Sequence, residues 1–99
     1  MAKVNFRQEA INDLTDIWEY TLHEWSENQA ERYYNSIKFA CKEIGDKSSI
    51  GKIYTEINTN LFGLSCGKHI IFYQQTSEEE IEVIRILHER MDLKNKIFI

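Results

Sequence analysis

Five side chains in the second half of this sequence could move protons or hold an anion: His69, Tyr73, Arg85, His88 and Arg90. An imidazole titrates near neutral pH and serves as base or acid. A phenol can lend a proton, and a guanidinium stabilises charge developing on an oxyanion. Arg85 is the most informative, because it interrupts the apolar run at 81–87. A charge inside an apolar strand must face an open surface or find a partner. One reading pairs it structurally with a glutamate such as Glu56 or Glu80; the other gives it a contact to a binding partner or target. His88 closes the same run and reads either as a satisfied structural group or as a catalyst. Tyr73 lies on the same strand face as His69, and its ring packs whether its hydroxyl is merely wet or acts as an acid. His23 reads as solvent-facing. The histidines lack metal-ligand spacing, and so do Cys41 and Cys66, which read as two reduced, mostly buried thiols. Neither a Gly-rich phosphate loop nor a nucleophile elbow is present, so the sequence predicts no metal and no cofactor.

The elements that must position these groups follow from hydrophobic period. Val4 and Phe6 alternate with polar residues, which predicts a short strand. Ile11, Leu14, Ile17, Trp18, Leu22 and Trp25 recur at three- and four-residue steps and predict an amphipathic helix over about residues 8–25. Ser26 followed by Gln29 has the capping-box spacing, so a second helix starts near Glu27. Its apolar face is Ala30, Tyr33, Tyr34, Ile37, Ala40, Cys41 and Ile44, and Gly45 is its expected stop. The short join predicts an antiparallel hairpin. Beyond it, 46–51 reads as loop, 53–57 as a weak extended stretch, and 61–65 as an apolar run. Residues 69–75 form a strongly β-prone run, 76–80 a polar turn, and 81–88 a last strand. Strict alternation puts Glu82, Ile84, Ile86 and His88 on one face of that strand, and Ile81, Val83, Arg85 and Leu87 on the other. Residues 89–99 have no readable period. The prediction is an α+β fold, strand–helix–helix–three strands, with the hairpin on one face of an antiparallel meander and the other face partly open for a site or partner. The hairpin aromatics Trp18, Trp25, Tyr33, Tyr34 and Phe39 read as core, or else, with Tyr20, as a groove for a partner helix.

Size and charge bound the rest. A chain of 99 residues has room for one core, hence one domain over 1–99. Its net charge of −4 is spread without a basic stripe, which argues against non-specific or direct sequence-specific nucleic-acid binding. The opening MAKVNFRQEA has no apolar core of signal-peptide length, and no stretch approaches the ~18 apolar residues of a membrane helix. The expected location is the cytoplasm, without membrane contact.

Several stretches together resemble a family. The hairpin carries AINDL at 10–14, IWEY at 17–20, WSENQA at 25–30 and Tyr33-Tyr34; the sheet carries GKHIIFY at 67–73 and IRILHERMD at 84–92. In this order the sequence is similar to the ParE branch of the RelE/ParE toxin superfamily, the plasmid stabilisation proteins, over nearly its whole length. HIIFY and IRILHERMD are the most specific parts. The resemblance implies a toxin silenced by a ParD-like antitoxin and acting on DNA gyrase, a type II topoisomerase, by protein–protein binding rather than catalysis. It implies contact residues among Trp18, Trp25, Tyr34, Arg85 and Arg90. The RelE cousins of this fold cut messenger RNA on the ribosome; for that alternative Arg85, His88 and Tyr73 are the candidate catalytic set. The chain departs from the family pattern in having no proline, and in Gln74 and Gln75, where many relatives carry a basic residue.

Overall fold

The structure, a computed structural model, describes residues 2–97. Strand β1 (Lys3–Phe6) leads into helix α1 (Gln8–Glu24) and helix α2 (Glu27–Asp46). A single 3-10 turn at Ser48–Ile50 precedes β2 (Lys52–Ile53), β3 (Phe62–Cys66), β4 (His69–Ser77), β5 (Glu80–His88) and a last turn of helix, α3 (Leu93–Lys96). The sheet order is β1-β5-β4-β3-β2. All pairs are antiparallel except β1 with β5, which the crossover through the hairpin makes parallel.

The hairpin forms for the reasons legible in its residues. The Ser26 hydroxyl accepts from the Gln29 amide at 3.2 Å, which supplies the hydroxyl half of the capping box. Ala10 and Ile17 of α1, with Ile37, Ala40, Cys41 and Ile44 of α2, bury against Ile71, Tyr73, Ile81, Val83 and Ile86 of the sheet. Gly45 does not stop α2, which runs on to Asp46. Its role is close approach instead: a Cβ there would lie 2.9 Å from Val4 Cγ2 and 3.1 Å from the Ala2 carbonyl oxygen, where β1 crosses the helix.

The opposite face of the sheet is closed, contrary to expectation. Leu61, Ile70, Phe72, Ile84, Leu87 and Ile97 form a second buried cluster, flanked by Tyr54, Ile57 and Leu93. Residues 54–61 are a folded turn rather than an extension of β2; the Tyr54 carbonyl accepts from Ile57 and Asn58. That turn and the C-terminal segment thus seal the face assigned above to a site. Ile97 belongs to this seal, while Phe98 and Ile99 lie outside the described residues.

The strict alternation predicted for β5 also fails. Phe72 pairs with Arg85 but Tyr73 pairs with Val83, so Ile84 is an extra residue, a β-bulge. Ile81, Val83 and Ile86 therefore face the helices, and Ile84 and Leu87 the second cluster. The turn between β4 and β5 shrinks to Glu78-Glu79, because both strands run further than their apolar residues indicate.

Candidate functional site

Strand β1 pairs with β5 only as far as Val83. Beyond that point the edge of β5 meets α1, and Asp13 closes the gap. Its carboxylate accepts the Ile86 amide at 3.0 Å and both Nε and Nη2 of Arg85, at 2.7 and 2.9 Å. Arg85 Nη1 donates onward to the Lys96 carbonyl at 2.7 Å. The arginine thus ties α1, β5 and α3 together, and its hydrogen bonds to Asp13 hold the guanidinium above its ordinary pKa. Arg85 has a structural partner, as one reading anticipated, but that partner is Asp13 and not Glu56 or Glu80. An aspartate two turns into α1 was the missed signal, since it stands on the side of the helix that carries Ile17.

Tyr73 is not available for chemistry. It is wholly buried, its hydroxyl donates to the Ser48 carbonyl and accepts the Gly51 amide, and burial raises its pKa. The hydroxyl predicted to be wet instead fastens the 3-10 turn to the sheet.

His69 and His88 stand directly opposite each other across β4 and β5, ring centroids 5.4 Å apart. Both line a cleft between α1 and the end of β5. One lobe, of about 340 Å3, has Ile17, Ile86 and Leu87 among its walls, with Asp13, Asp16 and Met91. A second lobe, of about 270 Å3, shares Tyr20, Thr21, His69 and His88 with the first and extends to Trp25, Tyr33 and Lys68. Tyr33 positions His69: its hydroxyl lies 2.6 Å from Nδ1 and 3.2 Å from the Cys66 carbonyl, and accepts the Lys68 amide at 3.1 Å. Burial, and then the neighbouring His88, push the His69 pKa down. Burial raises that of Tyr33. A neutral pair joined through Nδ1 fits both directions. The His88 Nδ1 accepts the Arg90 amide at 3.1 Å. Nδ1 of both rings is thus engaged, that of His69 by the Tyr33 hydroxyl and that of His88 by the Arg90 amide. Among the described residues no group of three His, Cys, Asp or Glu side chains is placed to hold a metal ion.

The aromatic residues singled out in the sequence fall on two surfaces. Trp18 and Tyr34 meet edge to face at 5.8 Å on the outside of the hairpin, in a groove of about 540 Å3 with Ile11, Leu14 and Glu31. Trp25 belongs to the cleft instead. Trp25, Tyr20 and Phe39 are 63%, 67% and 62% exposed, so they are surface and not core. Arg90 is exposed beyond β5. The structure brings His69, His88 and Trp25 together, leaves Arg85 committed elsewhere, and excludes Tyr73. Tyr20 and Tyr33, which the sequence offered as part of a partner groove, line the cleft, and so does Met91, which it did not single out.

A two-helix hairpin laid over an antiparallel sheet, with one parallel edge strand, is also the architecture of a solved structure described as the chromosomal ParDE TA system from P. aeruginosa. The match has a TM-score of 0.75, covers 89% of this chain and 96% of that one, and stands at 16% identity. The family model "ParE toxin of type II toxin-antitoxin system, parDE" matches residues 4–93. The chain belongs to this family of ParE toxins. Toxin ParE1 of Mycobacterium tuberculosis (strain CDC 1551 / Oshkosh) is 36% identical over 84 residues, 85% of this chain and 86% of the relative. Toxin ParE of Escherichia coli is 32% identical over 89 residues, 90% and 86% of the two chains. Among the described residues no helix is long and apolar enough to cross a membrane.

Proposed function

We propose that this chain is the toxin of a pair, neutralised by a ParD-like antitoxin and, when free, inhibiting DNA gyrase by protein–protein binding in the cytoplasm. Docking is supported by one observation above all: Tyr20, Trp25 and Met91 stand exposed around a cleft with an aliphatic floor of Ile17, Ile86 and Leu87. Large exposed apolar side chains beside a concave surface favour a protein partner. A phosphodiester substrate calls for converging cations, and this cleft is lined by Asp13 and Asp16 with Lys68 as its one lysine among the described residues. The gyrase target rests on the sequence resemblance. Trp25 and Arg90, with Trp18 and Tyr34 on the outer hairpin, are the residues we assign to partner contact; Arg85 holds α1, β5 and α3 together through Asp13 and the Lys96 carbonyl. Residues 1–99 then act as one domain, without a cofactor.

The test is gyrase turnover with the purified chain. Cleaved DNA is expected to accumulate, and the protein encoded by the adjacent reading frame is expected to reverse this. Growth arrest with intact DNA and cut messenger RNA would replace this reading with the RelE-like ribonuclease.

A further inference from the structure

The second core has two covers of unlike construction. Residues 54–61 are closed by their own backbone, the Tyr54 amide donating to the Leu61 carbonyl and the Leu61 amide to that of Asn58, and they run into paired strands at both ends. The other cover, Leu93–Ile97, makes its backbone bonds locally, from Lys96 to Asp92 and from Ile97 to Leu93. Leu93 and Ile97 turn inward, while Asn95 and Lys96 are exposed. Among the described residues its one hydrogen bond from the sheet is that of Arg85 Nη1 to the Lys96 carbonyl. A segment with so few buried contacts opens more readily than the elements beneath it. The direction of the Arg85 bond is set from the cleft. Asp13 takes Nε and Nη2, and because a guanidinium is planar, that pair fixes where Nη1 points. Asp13 is also a wall of the cleft beside Ile86, whose amide it accepts. One carboxylate therefore stands between the cleft and the segment that covers the second core.

We propose that Leu93–Ile97 is a strap that opens on its own over Phe72, Ile84 and Leu87, and that Asp13 sets how often it opens by aiming Arg85. The closed state rests on two apolar side chains and one hydrogen bond whose donor Asp13 orients. A cation that engages Asp13 from the cleft competes with Arg85, frees the guanidinium to rotate and loosens the strap. An occupant that leaves Asp13 alone does not, since a ligand shifts an equilibrium only by its differential contacts with the two states. Coupling of this kind is reciprocal: an open strap loosens the Arg85–Asp13 pair and, with it, the Ile86 amide. The coupling is independent of which protein the free chain inhibits.

The experiment is native-state hydrogen exchange of the full chain, followed by NMR. In the unaltered protein the Lys96 and Ile97 amides are expected to exchange at least about tenfold faster than mid-α2 amides such as that of Ile37. Asp13→Asn keeps the shape of the side chain and removes its charge, and is expected to speed both strap amides by a further factor of about ten. Asp16→Asn, on the same wall of the cleft, is expected to change them less than about twofold. Arg85→Gln should match Asp13→Asn, and the two together should add nothing, because they break one path. Ile97→Ala should speed exchange at the Ile86 amide. Strap amides as slow as those of α2 overturn the proposal, since the strap then opens only with the whole fold. Equal acceleration by Asp16→Asn, or additive effects of Asp13→Asn and Arg85→Gln, overturn it as well. If a substituted chain fails to fold, the order of exchange in the unaltered protein and the response of Ile86 to Ile97→Ala decide the matter.

Discussion

Asp13 does three things with one carboxylate: it satisfies an edge amide of β5, anchors Arg85, and fixes the distance between α1 and the sheet. Its side chain is 12% exposed and that of Arg85 20%, so removing one partner leaves a largely desolvated charge. Asp13→Ala is expected to cost about 3 kcal/mol in urea unfolding, and Arg85→Ala a similar amount. The double variant should cost less than the sum of the two, because the strain of each single change is the partner it orphans. A second residue-scale expectation concerns Cys41. Burial pushes its thiol up to about 12, so in the folded protein it should stay unmodified by iodoacetamide at pH 8 and react only on unfolding. Mass spectrometry of the alkylated chain separates it from the half-buried Cys66.

At the scale of elements, the β3–β4 turn and α2 are joined through Tyr33. Gly67 has φ +60°, and a Cβ there would lie 2.6 Å from the Tyr33 ring. Gly67→Ala is therefore expected to destabilise by about 2 kcal/mol, part backbone strain and part displacement of the ring. NMR titration should show His69 moving back toward its ordinary pKa, since the displaced Tyr33 admits water to the imidazole. In the unaltered protein the folded-state pKa of His69 lies below the unfolded one. Between those two values the unfolded chain binds more protons, so stability is complete above about pH 6.5 and falls as pH drops toward the folded-state value. Chemical denaturation midpoints measured from pH 7.5 downward should show this decline, and His69→Phe should flatten it.

For the whole molecule, both faces of one sheet carry a core, and the second depends on the end of the chain. Ile97 is 6% exposed, and the carbonyl just before it receives Arg85. Ile97→Ala is expected to cost about 2–3 kcal/mol, lowering the thermal midpoint and exposing Phe72, Ile84 and Leu87 to a hydrophobic dye. A chain of 99 residues buries a modest core, so losing this seal is a large fraction of its stability. An antitoxin bound to the folded state should restore the midpoint by mass action.

The hairpin was readable from its residues alone because helix period is local: each apolar side chain predicts the next, three or four positions on. The same holds for the Ser26 cap and for the β-prone run from His69, and sequence similarity to ParE toxins followed from those stretches. What the sequence did not contain was the end of β1 pairing at Val83, which turns Asp13 into the partner of Arg85. Nor did it contain the bulge at Ile84, which sends Ile84 and Leu87 to a second core that the expectation left open. Period describes one element against a plane. Where strands stop pairing, where one gains a residue, and which distant segment covers a face depend on contacts between residues as far apart as Asp13 and Arg85, and only the tertiary fold decides those.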